Sequence, residues 1–253
     1  MKTRNRNPIG VLFTALSITI VSLLATAPSA FAAYTGNLAG RPIDGSASTS
    51  CQGLAYGKVD NSIVLFTAAH CAGAAGSAVK GPTGTTIGYW WADVGGAASH
   101  DFAAIILISG NWPSALNRIY RGGSDWIITQ RWPSSSYSCV GISNDFGSLI
   151  YQNFQATSTS TTPYRTGVMT GFASNGGGSC EVQTTIPYHP TSKDSGSSFL
   201  LSGVTNQVFA VATRQIGGNL VATPAYEGIK ALDNYWLNHG AHVGAWFCYQ
   251  ASC

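Results

Sequence analysis

The sequence predicts an all-β protein that ends in one helix, and three observations predict it. Short segments rich in Val, Ile, Thr and aromatic residues recur along the chain, separated by Gly, Pro, Asn and Ser. Only near the carboxy terminus do apolar residues recur at helical spacing. Charged residues make up 9% of a chain with 30 glycines, the composition of a compact, turn-rich extracellular fold.

The first 32 residues stand apart. Lys2, Arg4 and Arg6 form a basic start, residues 9–24 an apolar run, and Ala30-Phe31-Ala32 a small-x-small cleavage pattern. A signal peptide is expected over residues 1–32, with cleavage after Ala32. The apolar run is short for a bilayer span, so no stable membrane association is expected afterwards. The three basic residues of this segment account for the formal net charge of +3. The remainder carries ten Lys and Arg against ten Asp and Glu, which gives nucleic acid no basic surface to bind.

Strand-like segments then follow at 63–67, 85–91, 102–108, 126–129, 149–154, 167–172, 181–186 and 208–213, at the intervals of sandwiches and barrels. Residues 157–162 are a Ser/Thr tract, read as a loop. A break near 111–123 separates an expected first unit, 33–120, from a second, 121–253. Thr223 reads as a helix N-cap and Pro224 as the first helical residue; Ile229, Leu232 and Trp236 share one face, and Gly240 is the stop.

Six cysteines, Cys51, Cys71, Cys139, Cys180, Cys248 and Cys253, all lie after the leader. Their even number in a secreted chain predicts disulfides. No pair has C-x-x-C spacing and no His cluster accompanies them, so no metal is expected. A Cys51–Cys71 bridge would close a loop of about twenty residues, worth on the order of 3 kcal/mol by chain entropy, and would fix the backbone beside His70.

Three motifs carry chemistry. Thr67-Ala68-Ala69-His70-Cys71 ends the apolar run 63–66, so a buried strand delivers an imidazole to its solvent-facing end. Ser99-His100-Asp101 precedes the apolar 102–106. A buried carboxylate there would select the imidazole tautomer and hold the ring in line. Lys193-Asp194-Ser195-Gly196-Ser197 is a turn able to expose a serine oxygen among backbone N–H groups, anchored by Phe199-Leu200.

Taken in the order His, Asp, Ser, these motifs resemble the chymotrypsin/trypsin-like serine proteases, and most of all their compact bacterial, streptogrisin-like branch. The resemblance implies two six-stranded antiparallel β-barrels with the site between them. His70 and Asp101 would come from the first barrel, and Ser195 from the second, which carries the helix. It implies a secreted endopeptidase with the triad His70, Asp101 and Ser195, an oxyanion hole from the N–H groups of Lys193 and Ser195, no cofactor, a protein or peptide substrate, and a monomer. Lys193 stands where the family usually has Gly. This departure motivates the second reading, a weakly active or inactive homologue that binds partners.

The chain has no I-V-G-G start to supply an amino terminus for Asp194. By analogy with the bacterial relatives, Arg131 is expected to pair with Asp194. Of the pairings open to the other four cysteines, Cys139 with Cys180, tying two segments of the second unit, and Cys248 with Cys253, stapling the carboxy-terminal tail, are the expected ones. The substrate-pocket walls are expected at 187–192 and 211–215. No acid marks the pocket base, so a preference for Lys or Arg is not expected; His189 could favour an acidic residue, but it reads first as an ordinary loop histidine.

Overall fold

A computed structural model describes residues 36–44, 50–59, 62–93, 100–110, 112–121, 124–129, 135, 138–153, 164–173, 180–188, 194–201, 204–238 and 245–253. The expected leader, the 157–162 tract, Arg131, His189, Lys193 and Gly240 lie outside these residues.

The described residues form two antiparallel β units and one α-helix. The first unit contains β1 (Pro42–Asp44), β2 (Ser50–Gln52), β3 (Tyr56–Val59), β4 (Ser62–Thr67), β5 (Ala78–Lys80), β6 (Thr86–Asp93) and β7 (Ala103–Leu107). A hairpin of β8 (Arg118–Arg121) and β9 (Ser124–Ile127) follows. The second unit contains β10 (Leu149–Asn153), β11 (Tyr164–Ala173), β12 (Glu181–Pro187), β13 (Ser198–Leu201), β14 (Val204–Ile216) and β15 (Asn219–Pro224). Then come α1 (Ala225–Asn238) and β16 (Trp246–Phe247).

The first sheet has the order β16-β3-β4-β7-β6-β5-β1-β2. Its centre is β4, whose Val64, Leu65 and Phe66 are fully buried, as a continuously apolar strand must be. The Phe66 ring meets Phe102 at 5.4 Å and, edge-on, Phe247 at 5.4 Å. The sheet has eight strands where six were expected. One of them, β16, returns from the carboxy terminus to pair with β3 through Trp246↔Lys58 and Phe247↔Gly57. Two residues are too few to show strand periodicity, so sequence reading does not find β16.

The second unit is a closed barrel of six strands, β10-β11-β12-β15-β14-β13. Val182, Thr184 and Ile186 alternate inward along β12, and Met169, Phe199, Phe209 and Leu220 fill the interior. Leu200, Val208 and Val211 point the other way, into the core of the first sheet, where α1 adds Ala225, Ile229 and Leu232. Gly228 of α1 lies so close to the Phe102 ring that a Cβ would collide with it. The helix begins at Ala225, not at Pro224. The chain passes directly from β15 into the helix, with Pro224 still registered against Ala210 of β14.

Three disulfides join Cys51 to Cys71, Cys139 to Cys180 and Cys248 to Cys253. No helix among the described residues is long and apolar enough to cross a membrane.

Candidate active site

Antiparallel pairing sets the first half of the site. Thr67 of β4 faces Ala103 of β7, so residues just after Thr67 and just before Ala103 leave the sheet at the same end. His70 lies in a 3-10 turn, Ala69–Cys71, and Asp101 lies two residues ahead of β7. Asp101 Oδ2 is 2.8 Å from His70 Nδ1, and its Oδ1 accepts the His70 backbone N–H at 2.7 Å. One carboxylate thus holds both ring and main chain. Nδ1 becomes the proton-bearing nitrogen, which leaves Nε2 as the base. Asp101 adopts φ +46, a left-handed conformation that costs a non-glycine residue about 1 kcal/mol. Asp tolerates it better than most residues, and strain of this kind concentrates at functional sites.

Cys51 and Cys71 bracket this end. Cys71 Sγ lies 3.9 Å from His70 Nε2. The sulfurs of Cys51 and Cys71 cluster with the imidazole, but they are bonded to each other and offer no thiolate to a metal. Thr67 Oγ1 donates to the Gln52 carbonyl at 2.7 Å, which ties β4 to β2.

Ser195 is half-buried in the turn that leads into β13. Its carbonyl accepts the Gln52 N–H at 2.8 Å. Gly196 has φ +81, and a Cβ there would run into the Gln52 carbonyl oxygen and Thr67 Oγ1. Only glycine combines this dihedral with so close an approach. On the barrel side, Gly196 N–H donates to Ala212 O at 2.8 Å and Ala212 N–H to Ser197 O at 2.9 Å. The serine turn is therefore docked against Thr67 and Ala68, two to three residues from His70. Among the described residues, the hydrogen bond of the His70 ring goes to Asp101, and none joins the ring to Ser195 Oγ. Such bonds are often long in unliganded sites and tighten with substrate.

Asp194 has no solvent exposure at its side chain. A buried carboxylate needs a cation and further donors. Arg165 of β11 supplies the cation, with Nη1 3.0 Å from Oδ2, and also donates to Pro187 O at 3.0 Å. Gln152 of β10 donates to Asp194 Oδ1 at 3.3 Å and to Ser197 Oγ at 2.8 Å. Arg131, the partner expected from sequence, lies outside the described residues. Arg165 and Gln152 went unnoticed in the sequence because neither belongs to a local motif. Each meets Asp194 only through barrel closure.

His100 is half-buried beside Asp101. Burial holds its pKa below the ordinary 6.5, and the nearby Glu227 carboxylate of α1 partly opposes that. Glu227 Oε1 also accepts the Cys139 N–H at 3.2 Å, linking the helix to the second disulfide.

No family model matches the sequence, and no curated protein matches it. Solved structures do. A serine protease specific for glutamic acid, which uses a histidine triad in substrate binding, superposes with a TM-score of 0.60 at 18% identity, covering 84% of this chain and 100% of its own. Protease A of Thermobifida fusca gives 0.54 at 17% identity, over 76% of this chain and 94% of its own. An alpha-lytic protease homologue, N4, gives 0.55 at 16% identity, over 76% and 95%. The architecture is the trypsin-like fold of the chymotrypsin-like bacterial serine proteases.

Proposed function

We propose that this trypsin-like chain is a secreted serine endopeptidase that hydrolyses peptide bonds through His70, Asp101 and Ser195. The observation that carries the reading is the Asp101–His70 pair, 2.8 Å apart, at the sheet end onto which the Ser195 turn is docked. In the proposed reaction Ser195 Oγ attacks the scissile carbonyl while His70 Nε2 takes its proton. The tetrahedral intermediate collapses to an acyl-enzyme as His70 returns that proton to the leaving amine. Water, activated by the same imidazole, then releases the acid. Asp101 keeps the ring in line and stabilises its charged form. The N–H groups of Lys193 and Ser195 are the proposed oxyanion donors.

A free strand edge supports a peptide substrate. β14 pairs with β13 as far as Ser198↔Val211, and Ala212 bonds to the serine turn. Beyond it, residues 214–216 pair with β15 alone among the described residues. An extended peptide added antiparallel to that edge would run from Ile216 toward Ser195, so the residues before the cut would lie along 214–216.

The disulfides support an oxidising, extracellular setting, and a monomer is the proposed acting form. The test is labelling of the folded, disulfide-bonded protein with a fluorophosphonate. Modification of Ser195, lost in Ser195→Ala, followed by cleavage of a peptide library, is the expected result. An unlabelled protein would favour the binding homologue that Lys193 suggests. Labelling without peptide cleavage would favour an esterase.

A further inference from the structure

We infer that Arg214 selects an acidic side chain in the substrate stretch that precedes the cut; this rests on the peptidase reading above. Arg214 stands where β14, among the described residues, pairs with β15 alone, two residues beyond Ala212, the residue hydrogen-bonded to the serine turn. The register of β14 against β15 shifts between Ala212 and Arg214. The extra residue turns Thr213 inward, where it is 3% exposed, and leaves Arg214 facing out.

Its guanidinium is held in place. Glu181 of β12 is buried, and its Oε2 accepts Arg214 Nε–H at 2.8 Å and Nη2–H at 2.5 Å. Thr213 Oγ1 donates to Glu181 Oε1 at 3.3 Å and contacts Val221 O at 3.1 Å, so the carboxylate is itself fixed. These bonds use one edge of the guanidinium. The side chain remains 41% exposed, and among the described residues Nη1 makes no hydrogen bond.

A guanidinium has five N–H donors in a rigid fork and can serve a carboxylate on each edge. Glu181, being buried, holds the arginine in one orientation, so little rotamer entropy remains to be lost when a ligand arrives. A second carboxylate reaching along residues 214–216 meets a fixed cation. A glutamine of the same shape gains only a neutral hydrogen bond, and a lysine is repelled.

Binding tests this without turnover. In the Ser195→Ala protein, fluorescein-labelled hexapeptides carrying Glu at successive positions before the cut are compared with Gln matches. At one position the Glu peptide should bind about fivefold tighter, as expected for a partly exposed charge pair. The difference should shrink between 0.05 and 0.5 M salt. Arg214→Gln in the same background should bring the two peptides to equal affinity, and Arg214→Lys should keep part of the difference. Equal affinity in the parent, no binding of any peptide, or a Glu preference that survives Arg214→Gln would each overturn the inference. Failure of fluorophosphonate labelling would instead sink the peptidase reading and leave this measurement standing.

Discussion

His70 and Asp101 meet because two neighbouring strands end together, whereas Ser195 is placed by groups drawn from five strands. The first pair needs only the β4–β7 register, a short turn and the Cys51–Cys71 bridge, and its side chains stay 38% and 20% exposed. The serine turn takes hydrogen bonds from β2 and β14, steric contact from β4, and a buried charge network from β10 and β11. One half of the site is local and wet, the other tertiary and dry. Damage to the first should therefore cost chemistry, and damage to the second should cost folding.

The sharpest break of that contrast is Asp101→Asn. It should lower kcat by about 10⁴-fold through loss of the correct imidazole tautomer, with the melting temperature nearly unchanged. Rate assays beside a thermal melt check both halves of the statement, and a large drop in melting temperature would blur the contrast. Arg165→Met comes next and should behave oppositely. Removing this cation from the buried Asp194 carboxylate should destabilise the fold by about 3–5 kcal/mol, read from urea unfolding. A variant with wild-type stability would mean that Arg165 is not the cation on which Asp194 depends.

The smallest effect concerns His100, at the rim of the local half. Its folded pKa lies below 6.5, so above pH 6.5 both folded and unfolded states carry it neutral. As pH falls below 6.5 the unfolded chain takes up the proton first, and stability declines. The decline should follow a slope of less than one proton, and His100→Gln should flatten it. A stability curve unchanged by that substitution would remove His100 from the account.

The same contrast explains what could be read from the sequence. His70 announced itself because an apolar strand and a cysteine flank it, and Asp101 because an apolar strand follows. The strands around them and the barrel strands with clear alternation were equally legible. Arg165 has no such flanking signal. Nothing in Tyr164-Arg165-Thr166 distinguishes it from a surface arginine, since its burial exists only once the barrel closes. Glu181 and Arg214 escaped notice for the same reason. The helix starts later than its cap signals predict, because Thr223-Pro224 carries cap chemistry while serving as the end of β15. β16 has too few residues to carry any pattern.

That last strand bears on how the molecule is made. Trp246 and Phe247 follow every other described strand, yet they pair with β3, near the front of the first sheet. A nascent chain must have made β16 before the flank of β3 is covered, and a variant without β16 would strip it again. For a protein whose proposed work is cutting other proteins, that timing postpones a finished first sheet until the second unit has been made.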